Sequence, residues 1–212
     1  MRQERICHEA AHRCTSCVPA VPGLENAGAE FFAKEIEELA FHGRVIGLAE
    51  VMDFLAVIHG EDRMMDIIDV MDKKGLYLQG HAPSVSGRML SAYLCGGPNT
   101  CHESRERNEA LEKLRSGMYV DARESSITKN VEEIYEGVKG VKFYDHFCLC
   151  TDDREADDIL HVGHMNDVVR TVIRSGMDPV TAIKSATLNT AREIHIENLA
   201  PLPRDMWRIC CW

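Results

Sequence analysis

Six polar residues stand immediately after short apolar runs. Glu50 follows Val45-Ile46-Gly47-Leu48-Ala49, His81 follows Leu76 to Gly80, His102 and Glu103 follow a stretch ending at Cys101, and Asp152 and Asp153 follow Phe147 to Thr151. If those runs are parallel strands, their carboxyl ends point to one face, and residues far apart in the chain converge there. Two imidazoles and several carboxylates would then share one pocket. That mixture of nitrogen and oxygen donors suits Zn²⁺, Mn²⁺ or Fe²⁺. Such an ion lowers the pKa of a bound water to about 7, so hydrolysis or deamination is the reaction class these residue types fit.

Each residue also has a structural reading. A single histidine at a strand end can be a hydrogen-bonded framework group. Glu50 could pair with a surface lysine, and Asp152-Asp153 before a helix resembles an N-cap with first-turn acid. The joint pattern favours the site, because the structural reading needs a separate explanation for each placement. His8, His12, His42, His59 and His195 lie in segments without matching carboxylates and read as solvated or structural. His161 and His164, three apart on one expected helix, would share a face and could approach the pocket from outside the ligand set.

Positioning these groups requires alternating strands and helices. Val45–Ala49, Leu76–Gln79, Met118–Val120 and His146–Cys150 read as strands, with Thr15–Val18 a weaker one. Between them lie amphipathic stretches over 29–41, 61–73, 87–94, 106–116, 129–137, 159–174 and 180–193. This rhythm predicts an α/β fold built from βα units on a parallel sheet. No low-complexity tract or internal repeat interrupts it. The tail from Pro201 to Trp212, which holds both tryptophans, has no period.

The chain has 212 residues, 45% hydrophobic and 27% charged, which suits one globular domain with a sizeable core. Its net charge of −10 argues against nucleic acid or anionic lipid as a partner. No apolar stretch approaches the roughly 18 residues of a spanning helix, and the first residues carry no apolar signal core. Nine cysteines, an odd number mostly inside apolar runs, fit a reduced, cytoplasmic chain. The Cys14-x-x-Cys17 spacing could be half a zinc site or a redox pair, but Cys17-Val18-Pro19 reads as a buried strand end.

Several segments in order are similar to the adenine deaminases of the amidohydrolase superfamily. They are Gly47-Leu48-Ala49-Glu50-Val51-Met52-Asp53-Phe54, Gly80-His81-Ala82-Pro83, Cys101-His102-Glu103-Ser104 and Leu149-Cys150-Thr151-Asp152-Asp153-Arg154. Ser16–Ala20, Gly163-His164 and Ala186–Ala191 resemble flanking signatures of the same family, so the likeness runs from about residue 15 to about 199.

The resemblance implies a partial (β/α)8, TIM-like amidohydrolase barrel, strands three to eight, over 15–199. Residues 1–14 would form an atypical N-terminal segment and 200–212 an atypical tail. It further implies metal-dependent hydrolysis of adenine to hypoxanthine and ammonia, with Mn²⁺ or Fe²⁺ favoured over Zn²⁺. Glu50, His81, His102 and Asp152 would be metal ligands, from strands four, five, six and eight of the family's barrel. Glu103 and Asp152 would transfer protons, and Asp153 and His164 would contact a small purine substrate. Another aminopurine or a cyclic amide is the alternative substrate.

The family's first strand carries a His-x-His pair that this sequence lacks. Its first two strands and its small β-rich domain also have no counterpart here. A fragment is therefore expected, whose two open sheet edges need covering. Assembly as a homo-oligomer, or of a catalytically silent chain with a complete homologous subunit, is the matching expectation for partners.

Overall fold

The alternation of apolar runs and amphipathic stretches becomes six strands joined by helices in a computed structural model that describes residues 12–196. The strands are β1 (His12–Thr15), β2 (Val45–Val51), β3 (Tyr77–Gly80), β4 (Thr100–Cys101), β5 (Tyr119–Arg123) and β6 (Phe147–Cys150). All ladders are parallel, in the orders β1-β2-β3 and β4-β5-β6. The expected α/β class holds.

The two ladders meet where Gly80 lies against Thr100. Its backbone N–H donates to Thr100 Oγ1 at 2.8 Å, and a Cβ at residue 80 would come within 2.1 Å of the Thr100 carbonyl oxygen. Only glycine permits this approach. The chain therefore runs as one series of six adjacent strands.

The helices are α1 (Ala33–Leu39), α2 (Phe54–His59), α3 (Asp62–Lys73), α4 (Gly87–Cys95), α5 (Arg107–Arg115), α6 (Val131–Val138), α7 (Ala156–His161), α8 (Met165–Arg174), α9 (Pro179–Ser185) and α10 (Leu188–Glu193). In α3, Met64, Ile67, Ile68 and Met71 are buried at the 3.6-residue period; in α6, Val131, Ile134, Tyr135 and Val138 are. Each such side chain contributes about 1.5–3 kcal/mol on burial. Two apolar clusters result. One joins α3 and α4 to β2 and β3 through Leu48, Leu78 and Leu90; the other joins α6, α8 and α9 to β5 and β6 through Val120, Phe147 and Leu149. The alternate residues of β5 and β6, Asp121 with Arg123 and Cys148 with Cys150, face the opposite, concave side.

Four local readings need correction. The first strand is His12–Thr15 rather than Thr15–Val18: its partners on β2 begin at Val45, and Ser16 to Pro19 instead cross the carboxyl end of β2, where the Arg63 guanidinium donates to the carbonyl of Val18 at 3.1 Å. The stretch 159–174 is two helices, because Gly163, with φ +137°, separates α7 from α8. The stretch 180–193 likewise breaks at Ala186–Thr187. Helix α2 was not anticipated, although Asp53 caps Ala56 N at 3.1 Å and the left-handed Gly60 ends it.

Among the described residues, no helix is long and apolar enough to cross a membrane. His8, Cys7, Cys210, Cys211, Trp207 and Trp212 lie outside the described residues.

Candidate metal centre

The carboxyl ends of β2, β3 and β4 carry Glu50, His81 and His102 to a common point. Glu50 Oε1 lies 3.1 Å from His81 Nδ1 and 3.5 Å from His102 Nε2, and the two rings are 5.5 Å apart. Neighbouring strands are spaced about 4.8 Å, so side chains two strands apart meet only when the sheet curves towards them. The curvature of the expected barrel is thus what closes this group.

Glu50 is aimed by its backbone. The β2–β3 register shifts between Leu48 and Val51, and Glu50 has φ +24°, a conformation few non-glycine residues adopt. Its carbonyl accepts from Ser16 Oγ at 2.9 Å and Cys17 Sγ at 3.1 Å, which holds the bulge in place. Both cysteines of the C-x-x-C spacing are free: Cys14 is buried in β1, while Cys17 lies beyond the strand and makes this contact, so the expected buried strand end at Cys17-Val18-Pro19 is instead a half-buried turn. Asp152, at φ +54°, is a second carboxylate at a strand end in the left-handed region. Such outliers concentrate where side chains must point against the local preference of the chain.

His81 and His102 are only 7% exposed each. Tyr93 Oη accepts from the His81 backbone N–H at 2.9 Å, and Phe54, the first residue of α2, packs against the His81 ring. The Nδ1 atoms of both imidazoles are buried without a hydrogen-bond partner; His81 Nδ1 is close to Glu50 but lacks hydrogen-bond geometry. A buried, unpaired ring nitrogen is costly unless something absent from the protein atoms completes it. A cation is such a partner for His81 Nδ1, which faces Glu50; with His102, whose Nε2 lies on the Glu50 side, the group offers two nitrogens and one oxygen that fit it.

The electrostatics of the group follow from these contacts. The His102 ring, and then the His81 ring, beside Glu50 hold its carboxyl well below the usual carboxylate range against the opposing effect of burial. Burial disfavours charge on His102, yet its contact with Glu50 and the fields of Asp121 and Asp152 outweigh this and raise its pKa.

Asp152 belongs to an adjoining group. Its carboxylate, with that of Glu103, lies within 4.8 Å of His102, while Glu103 Oε2 is 3.9 Å from His81 Nε2. Between the two acids sits Arg123, whose Nη1 donates to Glu103 Oε1 at 2.6 Å and also binds Asp152 Oδ2. Burial works against the Arg123 charge, but Glu103 and then Asp152 overcome it and raise its pKa. The four expected ligands therefore lie together, as three in one group and Asp152 in the next, joined through His102.

Arg123 escaped the sequence reading, which ended the fifth strand at Val120. Carrying the period-two alternation from Tyr119 through Asp121 would have placed Arg123 on the concave side.

A second unanticipated residue supports the histidine loops. Lys113 of α5 is wholly buried, and its Nζ donates to Ala82 O at 2.5 Å, Glu109 Oε1 at 2.6 Å and Ser104 Oγ at 3.3 Å. Ala82 follows His81 and Ser104 follows Glu103, so one ammonium ties both loops.

The two expected substrate contacts are placed differently. Asp153 is exposed, and its carbonyl accepts from Ser126 N at 2.9 Å. His164 is the exposed N-cap of α8, with its backbone N–H on Asn166 Oδ1. Neither side chain bonds to the cluster among the described residues. His161 ends α7, on the other side of the Gly163 break, so it and His164 do not share a helix face.

The Amidohydrolase family profile matches residues 5–200, most of the chain. The chain belongs to the amidohydrolase family. Similar curated amidohydrolases include the adenine deaminases of Petrotoga mobilis, 39% identical over 184 residues, and Kosmotoga olearia, 37% over 188. These alignments cover 87% and 88% of this chain and 32% of each relative. The adenine deaminase of Bdellovibrio bacteriovorus is 36% identical, over 94% of this chain and 34% of its own length. The chain thus spans about a third of the length of the curated relatives it matches. A solved amidohydrolase structure aligns over 65% of this chain and 37% of its own, with a TM-score of 0.44 and 18% identity.

Proposed function

We propose that this chain carries the metal-binding strands of a hydrolase that cleaves the exocyclic C6–N bond of adenine, giving hypoxanthine and ammonia. The observation that carries the reading is the Glu50–His81–His102 group, with His81 Nδ1 unpartnered and facing Glu50, in a chain similar to adenine deaminases. Glu50, His81 and His102 would hold a divalent cation, Mn²⁺ or Fe²⁺ by preference and Zn²⁺ as the alternative, with Asp152 nearby. When bound, the cation makes water acidic enough to deprotonate at neutral pH.

The protein's own groups then divide the proton transfers. Asp152 faces His102 and accepts the proton of the attacking water. Glu103, beside His81, delivers a proton to the ring nitrogen next to C6 and recovers one from the hydroxyl added at C6 as it becomes the carbonyl, while Asp152 passes the water's proton to the departing amine. Arg123 fixes the separation of the two carboxylates by binding both, so neither swings into the space the purine ring must enter.

The test is release of ammonia and hypoxanthine from adenine by the purified chain loaded with Mn²⁺, beside Glu103→Gln and Asp152→Asn. Equal yields of the two products, lost in both variants while each keeps its fold and metal, are expected. Stoichiometric metal with no turnover of adenine would refute the reading, and turnover of another aminopurine or a cyclic amide instead would reassign the substrate.

A further inference from the structure

A second group of ligand-type side chains lies apart from Glu50, His81 and His102. Asp121 on β5 and Cys148 on β6 are direct register partners, and Glu193 from the end of α10 reaches the same point. One donor atom from each lies within 4.8 Å of the others. Asp121 and Arg123 share a strand face two residues apart, so this group sits about 6.6 Å deeper along the strand direction than the arginine that joins Glu103 to Asp152. The mechanism above does not use it.

Burial makes the group unusual. Asp121 is 6% exposed, Glu193 5% and Cys148 1%. Tyr77 Oη donates to Glu193 Oε1 at 2.6 Å and fixes that carboxylate. Asp121 Oδ1, by contrast, is buried with no hydrogen-bond partner. Two carboxyls and a thiol packed this closely away from water cannot all ionise by themselves; burial, followed by their mutual repulsion, pushes Asp121 and Cys148 far up. A divalent ion removes that conflict, since it replaces the protons of all three with one compact positive charge.

We infer that Asp121, Cys148 and Glu193 form a second metal site, specific for a thiolate-tolerant divalent ion such as Zn²⁺, that pins α10 to strands β5 and β6. Two carboxylate oxygens and one sulfur leave one tetrahedral position for water. Binding displaces the Cys148 thiol proton and the proton retained by the carboxyl pair to solvent. The ion's role is structural: α10 is a helix of only six residues, and the site ties it to the sheet across the concave side.

Cobalt(II) reads this site without any assay of activity, because a Co–thiolate bond gives a near-ultraviolet charge-transfer band that nitrogen and oxygen ligands do not. The full chain is titrated with Co²⁺ beside His81→Asn, Cys148→Ser and Asp121→Asn. The band is expected in the parent chain, retained in His81→Asn, reduced below half in Cys148→Ser, and formed with at least about tenfold weaker affinity in Asp121→Asn. Absence of the band in the parent, its loss in His81→Asn, half or more surviving in Cys148→Ser, or an unchanged affinity in Asp121→Asn each overturns the assignment. If Cys148→Ser does not fold, Glu193→Gln replaces it, keeps the thiol, and must weaken cobalt binding by the same factor; unchanged affinity there also overturns it.

Discussion

Replacing Lys113 with methionine tests whether the histidine loops depend on a buried ammonium. Methionine matches the length of the lysine stem but removes its charge, which leaves the Ala82 carbonyl and the Glu109 carboxylate without their shared donor. Breaking a buried ion pair by deleting one partner costs about 3–5 kcal/mol. Here the lower end applies, because Glu109 still accepts from Ser84 N at 2.8 Å and Arg105 N at 2.9 Å. A loss of about 3 kcal/mol corresponds to a fall in Tm of about 6–12 °C for a chain of this size. Neutralising the stranded acid in Lys113→Met/Glu109→Gln should return part of that loss. The loops that carry His81 and His102 also lose their tie, so affinity for Mn²⁺ should fall by about 10–100-fold, the usual effect of removing a group that orients ligands. Thermal melts of the chelated protein and Mn²⁺ titrations measure both effects. A single variant within about 1 kcal/mol of the parent, or a double variant less stable than the single, would refute the argument.

Gly80→Ala forces a Cβ onto the Thr100 carbonyl and should cost about 2 kcal/mol or more by overpacking the seam between β3 and β4; an unchanged urea midpoint would contradict the close approach. Arg123→Met strands Glu103 and Asp152 against each other and should destabilise the metal-free chain by about 1–3 kcal/mol, with a smaller loss once Mn²⁺ is added, as compared by melting with and without chelator. Burial and Glu193 raise the pKa of Asp121 when folded above its unfolded value of about 3.9, so its unfavourable contribution is absent below about pH 4 and grows as pH rises towards the folded pKa. Asp121→Asn should therefore gain stability over the parent as pH is raised from 4 to 8 in chelator, and denaturant midpoints at the two ends that show no such gain would exclude that sign.

Strand-end placement was legible because a polar residue after an apolar run is a local feature, and parallel βα order converts it into a shared face. Glu50, His81 and His102 were found that way, as were most helices, whose apolar period is written in consecutive residues such as Met64 to Met71. Single-residue backbone events were harder to see. Gly163 divides one long amphipathic stretch because of its φ of +137°, and the bulge at Glu50 depends on the carbonyl's contacts with Ser16 and Cys17, which lie over thirty residues earlier.

The sequence alone therefore determined the α/β class, the family likeness and the residue types able to hold a cation, since these follow from composition, period and order along one chain. The folded structure decided how the charges are paired. Arg123 joins Glu103 to Asp152, Lys113 braces two loops, and Asp121 meets Glu193 across 71 intervening positions only because the sheet curves and α10 returns beneath it. Pairing energies depend on distance and burial, and a linear string fixes neither until the chain has closed on itself.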